Sequence, residues 1–551
     1  MSNDKLYWGD AHTNIHFRDV TPVDAPTAER TAACAASLEP VLAHARAVLD
    51  FWPIAYYPYR CESHNGLPVE THYPDGELEA AWRAVCDVAS AGNAPGKRVV
   101  FPGYEWQGDG RSGDHNVFFL DDHPPLLLRC RRVAELYEQI RARGLKAYAI
   151  PHHTAYFPGV RSKDWSVHDE VISPFAEIFS NHGCSESDEE LIGLRNNTHM
   201  GPGTSGGALA DALDRGVHTG IVASTDGHHN VPGVHGWGLM ACYAPVLTRE
   251  ALWEAFAARH VYGVTGDRIA LDFRIDDAVM GDAVRSSGPV HARVRVRGCD
   301  AIDRIELLRN NHVIATHSHQ GTWQPPTDGP RIRCKLRVEA GWGPRTDDLS
   351  DLPPREWHGR VDVPDGAIVS AEPCWRFLGQ WIGGVGAATC EFGLTTRQSQ
   401  PGAATLTEAV IFEIEARPSE AITIRLDERT VTMTLAEAMA GSQLVVFMDE
   451  AAARIRRRFG VDPATLERND RVYYHSCKAK LHRAIPEAGL TAGLDHIDAD
   501  PPAGENHYRV RVLQRNGQRA WSSPIWVTRD RGPSRGRTSR PRSSEPFPAG
   551  S

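Results

Sequence analysis

Residues 98–120 have the sequence RVVFPGYEWQGDGRSGDHNVFFL, in which a loop rich in glycine and charged residues separates two short apolar runs. Short apolar runs bounded by such residues are typical of buried strands. Glu105 follows the first run, and Asp114 and His115 precede the second. This stretch therefore predicts two buried strands whose ionisable side chains lie beside the loop between them.

Further apolar runs flank this stretch, and segments with helical periodicity lie between them. Counting the two runs above, the seven predicted strands cover residues 5–9, 48–55, 98–104, 116–120, 146–150, 175–180 and 219–224. The helical patterns cover residues 40–49, where Pro40 suits a first turn, 77–91, 132–143, 206–215 and 249–260. This alternation is typical of repeated βα units around a mostly parallel sheet or barrel. We therefore expect an α/β barrel domain over residues 1–268.

The hydrophobic period changes to two after about residue 268. Apolar and polar residues alternate over 290–297, as expected for a half-exposed antiparallel strand. We expect a β-sandwich-like lobe over residues 269–530 with a helical insertion near 434–459. Residues 531–551 are almost all Arg, Pro, Ser and Gly, a composition that predicts a disordered tail.

Composition and charge restrict the possible partners. The 551 residues include 60 Lys and Arg and 70 Asp and Glu, so the formal net charge is -10. That balance argues against a general affinity for nucleic acid or for anionic membranes. The chain has neither an apolar leader nor a membrane-length apolar run, which predicts a cytoplasmic protein with a small-molecule substrate. The sequence does not indicate an oligomeric state.

Ionisable residues gather at the ends of the predicted strands. They are Asp10 and His12, Glu105, Asp114 and His115, His152 and His153, His182, and Asp226 and His228. In a parallel barrel all carboxyl ends open on one face, so these side chains would converge. Asp114 and His115 lie at the start of the fourth run and not at its end. Either that strand is reversed or the preceding loop folds over the mouth of the barrel. Imidazole and carboxylate groups bind Zn, Mn or Fe, which predicts a metal site.

Six segments of the chain resemble a known family. They are YWGDAH, PGYEWQGDGRSGDHNVFF, AIPHHT, EIFSNHG, ASTDGHHNVPG and the late NGQRAWSSPIWV. They look like the DUF3604 family within the polymerase-and-histidinol-phosphatase (PHP) superfamily. This resemblance implies a distorted seven-stranded β/α barrel that holds two or three divalent metals, usually Mn, Fe or Zn, and hydrolyses phosphate esters.

The resemblance also implies a ligand set. The matched positions are His12, Glu105, His115, His152, Asp226 and His228, and His182 is a further candidate from the sixth strand. Two positions depart from the superfamily pattern. Asn14 replaces the second histidine of His-x-His, and Tyr56 and Tyr57 replace an Asp-His pair. Because these changes remove strong ligands, we expect one or two ions and not three.

The remaining candidates for catalysis are not metal ligands. Tyr56 and Tyr57 could bond a substrate or act as an acid, or they could be packing residues. Arg60 and Arg111 suit an anionic substrate, although loop arginines are often solvated. We therefore predict a metal-dependent hydrolase, in the first place a phosphoesterase. The alternatives are a lyase or non-phosphate hydrolase that uses Tyr56 or Tyr57, and a non-catalytic metal-containing binding protein.

Overall fold

The structure, a computed structural model, describes residues 4–18, 20, 25–197, 199–319, 326–345, 352–397, 406–468 and 470–529. It is mixed α/β. Up to residue 268 its strands are β1 (Lys5–Gly9), β2 (Asn14–Ile15), β3 (Phe51–Pro53), β4 (Ala55–Tyr56), β5 (Tyr59–His64), β6 (Leu67–His72), β7 (Val99–Phe101), β8 (Gly103–Trp106), β9 (His115–Phe119), β10 (Ala147–Pro151), β11 (Phe175–Ser180), β12 (Gly183–Cys184), β13 (Gly220–Ala223), β14 (Leu239–Ala244) and β15 (Val261–Val264). The helices are α1 (Thr27–Val48), α2 (Asp75–Gly92), α3 (Val133–Ala142), α4 (Leu209–Asp214) and α5 (Arg249–Ala257).

Beyond residue 268 strands dominate. They are β16 (Ala270–Ile275), β17 (Ala278–Val279), β18 (Ala283–Ser286), β19 (Val290–Arg297), β20 (Ile302–Arg309), β21 (His312–Ser318), β22 (Ile332–Trp342), β23 (Arg355–Asp362), β24 (Ala367–Cys374), β25 (Trp381–Ile382), β26 (Thr389–Thr396), β27 (Glu408–Ala416), β28 (Ala421–Leu426), β29 (Arg429–Thr434), β30 (Gln443–Val446), β31 (Lys478–Leu481), β32 (Ile485–Pro486), β33 (Thr491–Asp498), β34 (Gly504–Gln514), β35 (Arg519–Ser522) and β36 (Ile525–Arg529). The helices are α6 (Leu435–Ala440), α7 (Met448–Phe459), α8 (Asp470–Tyr474) and α9 (Glu487–Leu490).

Each of the seven apolar runs contains a strand, and their pairing is mostly parallel. β1, β3 and β7 are parallel neighbours, as are β2, β4 and β8, and β11 pairs with β13 in the same sense. β9 is antiparallel to both β8 and β10, so the fourth strand is reversed. These strands belong to three different sheets. A single closed seven-stranded barrel is therefore not shown in the described residues.

One sheet joins the two sides of residue 268. β15 pairs antiparallel with β35, and this pairing extends an eleven-stranded sheet from β1, β3, β7 and β14 into β34 and β36. This sheet crosses the position at which the sequence predicts a domain boundary. Residue 268 marks a change in the type of element along the chain and not an edge between sheets.

Local patterns explain most elements, with one helix longer than expected. The pattern over 40–49 predicts a helix that begins at Pro40, but α1 begins at Thr27 and contains Pro40 in its interior. The alanine-rich residues before Pro40 have high helix propensity, and they extend the helix toward its N-terminus. In β19 alternate residues are buried, as the period of two predicts. Thr434 caps α6 by accepting a hydrogen bond from the Glu437 backbone.

Two further expectations concern the C-terminal tail and membrane-spanning segments. The tail over 531–551 lies outside the described residues. Among the helices that the structure describes, none is both long enough and apolar enough to span a bilayer.

Candidate metal centre

Four buried side chains from four strand ends meet at one point. His12 follows β1, Glu105 lies in β8, His152 follows β10 and Asp226 follows β13, and one ligand atom from each lies within 4.8 Å of the others. His12 Nε2 is 3.4 Å from Glu105 Oε2 and 3.5 Å from Asp226 Oδ1. His152 Nε2 is 4.0 Å from Glu105 Oε1. We call these four residues the metal centre.

Asp10 fixes the two loops that carry His12 and Asp226. Its carboxylate accepts hydrogen bonds from the backbone N of His12 (3.1 Å) and from the backbone N of Thr225 (3.1 Å). It also accepts one from the Gly233 backbone N at 2.8 Å. The Asp226 backbone N donates to the His12 carbonyl oxygen at 2.6 Å, and Asp226 has a φ of 48° in the left-handed region. The two loops are therefore held at a fixed separation.

Glu177, in the middle of β11, adds a third carboxylate to this site. Its Oε2 is 3.4 Å from His12 Nδ1, on the side of the ring away from Glu105. Among the described residues no lysine or arginine lies within ion-pair distance of Glu105, Glu177 or Asp226. Buried carboxylates without a cationic partner are costly, so this arrangement needs a bound cation or bound protons.

The pKa values reflect this excess of buried acid. Burial raises the pKa of Asp226 to about 8, and the neighbouring Glu177 and Glu105 carboxylates raise it as well, while His12 opposes the shift. Burial by itself lowers the pKa of His12, but Asp226, Glu105 and Glu177 outweigh it and hold the value well above its usual range. Without a metal, the protein would have to keep protons on these groups.

Unpartnered polar atoms test whether a cation fits here. Both ring nitrogens of His152 and Oε1 of Glu177 are buried and have no hydrogen-bond partner in the described part of the chain. Burial, with the neighbouring His12 and His153, lowers the pKa of His152 well below its usual value, so its imidazole is neutral. Neutral imidazole and free carboxylate oxygens are ligands of first-row divalent ions. The residues present therefore fit a divalent metal.

His182 lies beside the metal centre, in contact with Asp226. Its Nε2 is 3.2 Å from Asp226 Oδ2, and its Nδ1 is 2.7 Å from the Tyr156 hydroxyl. His153, His182 and Asp226 form a further set of potential ligands beside the metal centre. His153 Nε2 is 3.4 Å from Asp114 Oδ2. The structure thus brings His153 closer to the centre than the alternation of side chains along a strand suggests.

His228 lies at the rim of the centre. Its side chain is 40% exposed, and its Nε2 is 3.9 Å from Asp226 Oδ1. His16 Nε2 is 3.1 Å from His228 Nδ1. Asn14, which replaces a histidine of the superfamily pattern, donates from Nδ2 to Asp226 Oδ1 at 3.3 Å. Asn14 therefore contacts the centre through a hydrogen bond.

His115 is not brought to the metal centre, which corrects its prediction as a ligand. In the β8–β9 ladder Glu105 pairs with Asn116, and Trp106 pairs with His115. Because paired residues share a face and neighbours alternate, Glu105 and His115 point to opposite sides. His115 Nδ1 lies 3.0 Å from the Gly113 carbonyl oxygen, and Nε2 lies 3.4 Å from the Tyr137 hydroxyl.

The two tyrosines have different surroundings. Tyr57 is linked to the centre through Gln107: its hydroxyl donates to Glu70 Oε1 at 2.5 Å and accepts from Gln107 Nε2 at 3.1 Å. Gln107 Nε2 also lies 2.9 Å from Glu105 Oε1. Tyr56 is 2% exposed and packs against Phe17 on the other side of its strand. Only Tyr57 is placed to act on the metal centre.

The arginines expected at the site lie apart from it. Arg111 is exposed, and Arg60 forms a surface ion pair with Glu62. Arg161 lies next to groups that surround the centre: it pairs with Asp114, which contacts His153, and its Nη2 is 3.2 Å from Glu70 Oε2. No pattern in the sequence distinguishes Arg161 from other loop arginines. Glu177 did have a signal, because it is a charged residue inside an otherwise apolar run.

The comparisons with known proteins are limited in extent. No family model matches the chain, so membership of the DUF3604 family is not confirmed. Over 259 residues the chain is 24% identical to an uncharacterized protein of Chlamydia pneumoniae, which covers 43% of this chain and 40% of that protein. An uncharacterized protein of Chlamydia trachomatis is 25% identical over 265 residues, covering 44% and 40% of the two chains. The matches span about 40% of the length of these curated relatives.

One solved structure is similar to part of this chain. It is a two-domain protein from Bacteroides vulgatus that contains a predicted PHP-like metal-dependent phosphoesterase. The TM-score is 0.31 and the identity 12%, with 56% of this chain and 80% of the other covered. A likeness at this level does not establish a shared fold or activity.

Proposed function

We propose that this protein is a metal-dependent hydrolase of phosphate esters and that the metal centre is its active site. The observation that carries the proposal is the set of buried carboxylates and imidazoles, in which no lysine or arginine of the described chain neutralises the carboxylates. The phosphate-ester chemistry rests on the resemblance of the six segments to the PHP superfamily. We also propose that the seven predicted strands correspond to the distorted barrel of that superfamily.

His12, Glu105, His152 and Asp226 would hold a divalent ion, with Mn, Fe and Zn as the candidates. Such an ion lowers the pKa of water and stabilises negative charge on a phosphoryl group. Glu177 orients the His12 ring through Nδ1, as a carboxylate often does for a ligating histidine.

Two residues at the rim would assist the reaction. His228 would exchange a proton with the substrate, and Tyr57 would hold the Glu105 carboxylate in position. Burial lowers the pKa of His228, so its half-exposed imidazole is neutral near pH 7 and can exchange a proton with substrate. Burial raises the pKa of Tyr57 above its usual value, so its hydroxyl stays protonated. It acts as a positioning residue that holds Gln107 against Glu105.

The test compares metal content with hydrolysis. Protein freed of metal and reloaded with Mn, Fe or Zn is assayed on phosphomonoesters, phosphodiesters and carboxylic esters, with inorganic phosphate measured directly. The released alcohol is measured for all three classes, because only phosphomonoesters release inorganic phosphate directly. We expect metal-dependent hydrolysis of phosphate esters that His12→Ala abolishes. His123→Ala, at an exposed histidine outside the centre, serves as the matched control. Stoichiometric metal without hydrolysis of any phosphate ester would overturn the proposal.

A further inference from the structure

A cavity of about 500 Å³ has Tyr57 in its wall, and none of the four metal-centre residues lines it. It lies between α1, α2 and the segment from β4 to β5. Four tyrosines line it, so we call it the tyrosine pocket: Tyr56, Tyr57, Tyr59 and Tyr73. Cavities of this size that combine apolar surface with polar groups are typical of small-molecule sites.

Tyr57 links the tyrosine pocket to the rim of the metal centre. Its ring lies 5.1 Å from the His228 ring and 4.7 Å from the His16 ring, measured between centroids. Its hydroxyl is two hydrogen bonds away from Glu105, through Gln107. A molecule held by its phosphate at the metal centre would therefore place its remaining part beside Tyr57.

Four of the five charged side chains that line the tyrosine pocket have partners, and the fifth, Arg18, is exposed and forms no ion pair within the described residues. Arg30 Nη1 is 4.0 Å from Glu77 Oε1, and Arg60 pairs with Glu62. Glu70 accepts the Tyr57 hydroxyl proton in a hydrogen bond. A ligand with a positive charge would have to break one of these pairs to reach a carboxylate, which argues against a cationic group.

The rest of the wall consists of flat rings and small side chains. Phe17 and Tyr56 lie with their rings 5.7 Å apart, and Cys34, Ala80 and Ala81 leave space opposite them. Tyr56 is 2% exposed, and among the described residues its hydroxyl has no hydrogen-bond partner. That hydroxyl remains available to a polar atom on a bound ring.

We infer that the tyrosine pocket binds the aromatic group of an aryl phosphate ester. Aromatic side chains favour offset or edge contacts with another ring, and small residues leave room for it. The inference rests on the proposed function for the position of the phosphate. What the tyrosine pocket adds is the chemical class of the leaving group, which the four residues of the metal centre do not select.

The experiment measures binding, so it does not depend on turnover. Full-length protein loaded with Mn²⁺ is titrated calorimetrically with 1-naphthylphosphonate and with methylphosphonate, neither of which can be hydrolysed. We expect the naphthyl compound to bind at least about tenfold more tightly, because it buries a ring that the methyl compound lacks. Ala81→Leu narrows the pocket and should remove most of that difference.

The control is the same Ala→Leu substitution at another position of α2. Ala91 is exposed near the end of α2, and Ala91→Leu should preserve the preference for the naphthyl compound. Cys34→Leu obstructs the pocket from α1 and replaces Ala81→Leu if that variant does not fold. Unchanged affinity for methylphosphonate shows that the metal centre is intact in each variant.

The outcomes separate this inference from the proposed function. Equal affinities in the wild type, no binding of either phosphonate, or a preference that survives both obstructing variants would overturn the tyrosine pocket. Hydrolysis of phosphate esters without any preference for aryl groups would also overturn it, while supporting the hydrolase. Tight naphthylphosphonate binding without hydrolysis of any phosphate ester would support the pocket and contradict the hydrolase.

Discussion

Two groups of buried histidine and carboxylate side chains differ in how their polar atoms are satisfied. The metal centre leaves both ring nitrogens of His152 without a partner. The second group, which we call the Asp267 cluster, contains His235, Asp267 and Cys374 and is just as compact. There Asp267 Oδ1 lies 2.9 Å from His235 Nε2, and Oδ2 accepts two hydrogen bonds of 2.7 Å from Gln514 and Asn516.

The comparison shows that residue types and spacing are not sufficient to define a metal site. Burial alone would raise the pKa of Asp267, but the hydrogen bond and charge of His235 lower it, with further help from Arg337 and Asn516. Its negative charge is stabilised by the protein itself, so no further cation is needed. In the metal centre the pKa of Asp226 is raised instead. Unsatisfied acceptors distinguish the metal centre from the structural Asp267 cluster.

The largest expected effect is the loss of metal from the metal centre. Glu105→Ala and Asp226→Ala should each weaken metal binding by more than about 100-fold, since even changes to groups that only support ligands cost about 10- to 100-fold. Asp267→Ala should keep the metal but lower the free energy of unfolding by about 1–3 kcal/mol, because buried donors lose their acceptor. Metal analysis after dialysis and urea unfolding check both. Metal loss in Asp267→Ala would end the distinction between the two groups.

Substituting the two tyrosines should give unequal results. Tyr57→Phe breaks the link to Glu105 through Gln107 and should lower turnover about 10- to 100-fold with metal content unchanged. Tyr56→Phe should leave the turnover of small phosphate esters close to that of the wild type, since Tyr56 does not contact the centre. Steady-state kinetics and metal analysis decide. Wild-type turnover in Tyr57→Phe would remove its positioning role.

Glu408 is a buried carboxylate without a neighbouring histidine, so a proton should compensate it instead of a metal. Its Oε1 has no partner among the described residues, and burial raises its pKa to about 8. Because the folded pKa exceeds the unfolded one, the stability is complete at low pH and falls as the pH rises through 8.

The variant Glu408→Gln tests whether stability falls as the pH rises. Between about pH 5 and pH 9 the wild type should lose about 4 kcal/mol that the variant does not lose. Urea unfolding across this range measures the difference, with Glu356→Gln at an exposed position as the control. Parallel pH profiles for wild type and Glu408→Gln would contradict the prediction.

The smallest expected effect is at His115. His115→Phe should leave metal content unchanged and reduce stability by about 1 kcal/mol, the value of a lost hydrogen bond. His152→Phe, one strand away, should lose the metal. Equal metal loss in both variants would show that His115 is a ligand after all.

The strands were predictable from the sequence because they are short apolar runs with distinct boundaries. β1 and β11 have the predicted bounds, and the reversal of β9 was one of the two alternatives for its early Asp114 and His115. The pairing of β15 with β35 was not predictable. It joins residues more than 250 positions apart, and hydrophobic periodicity carries no information about such partners.

The metal centre was partly predictable for a geometric reason. His12, His152 and Asp226 follow strands whose ends meet, so their position in the sequence indicates their position in space. His115 failed because a shift of one residue in a strand reverses the face of its side chain. Glu177 lies inside a strand and not at its end, so the argument from strand ends did not include it.

The most direct test of the metal centre is anomalous scattering from crystals grown with Mn²⁺ or Zn²⁺. The account predicts the strongest anomalous peak between His12, Glu105, His152 and Asp226, and no peak at the Asp267 cluster. A crystal that binds the metal at the Asp267 cluster, with no peak among those four residues, would contradict it.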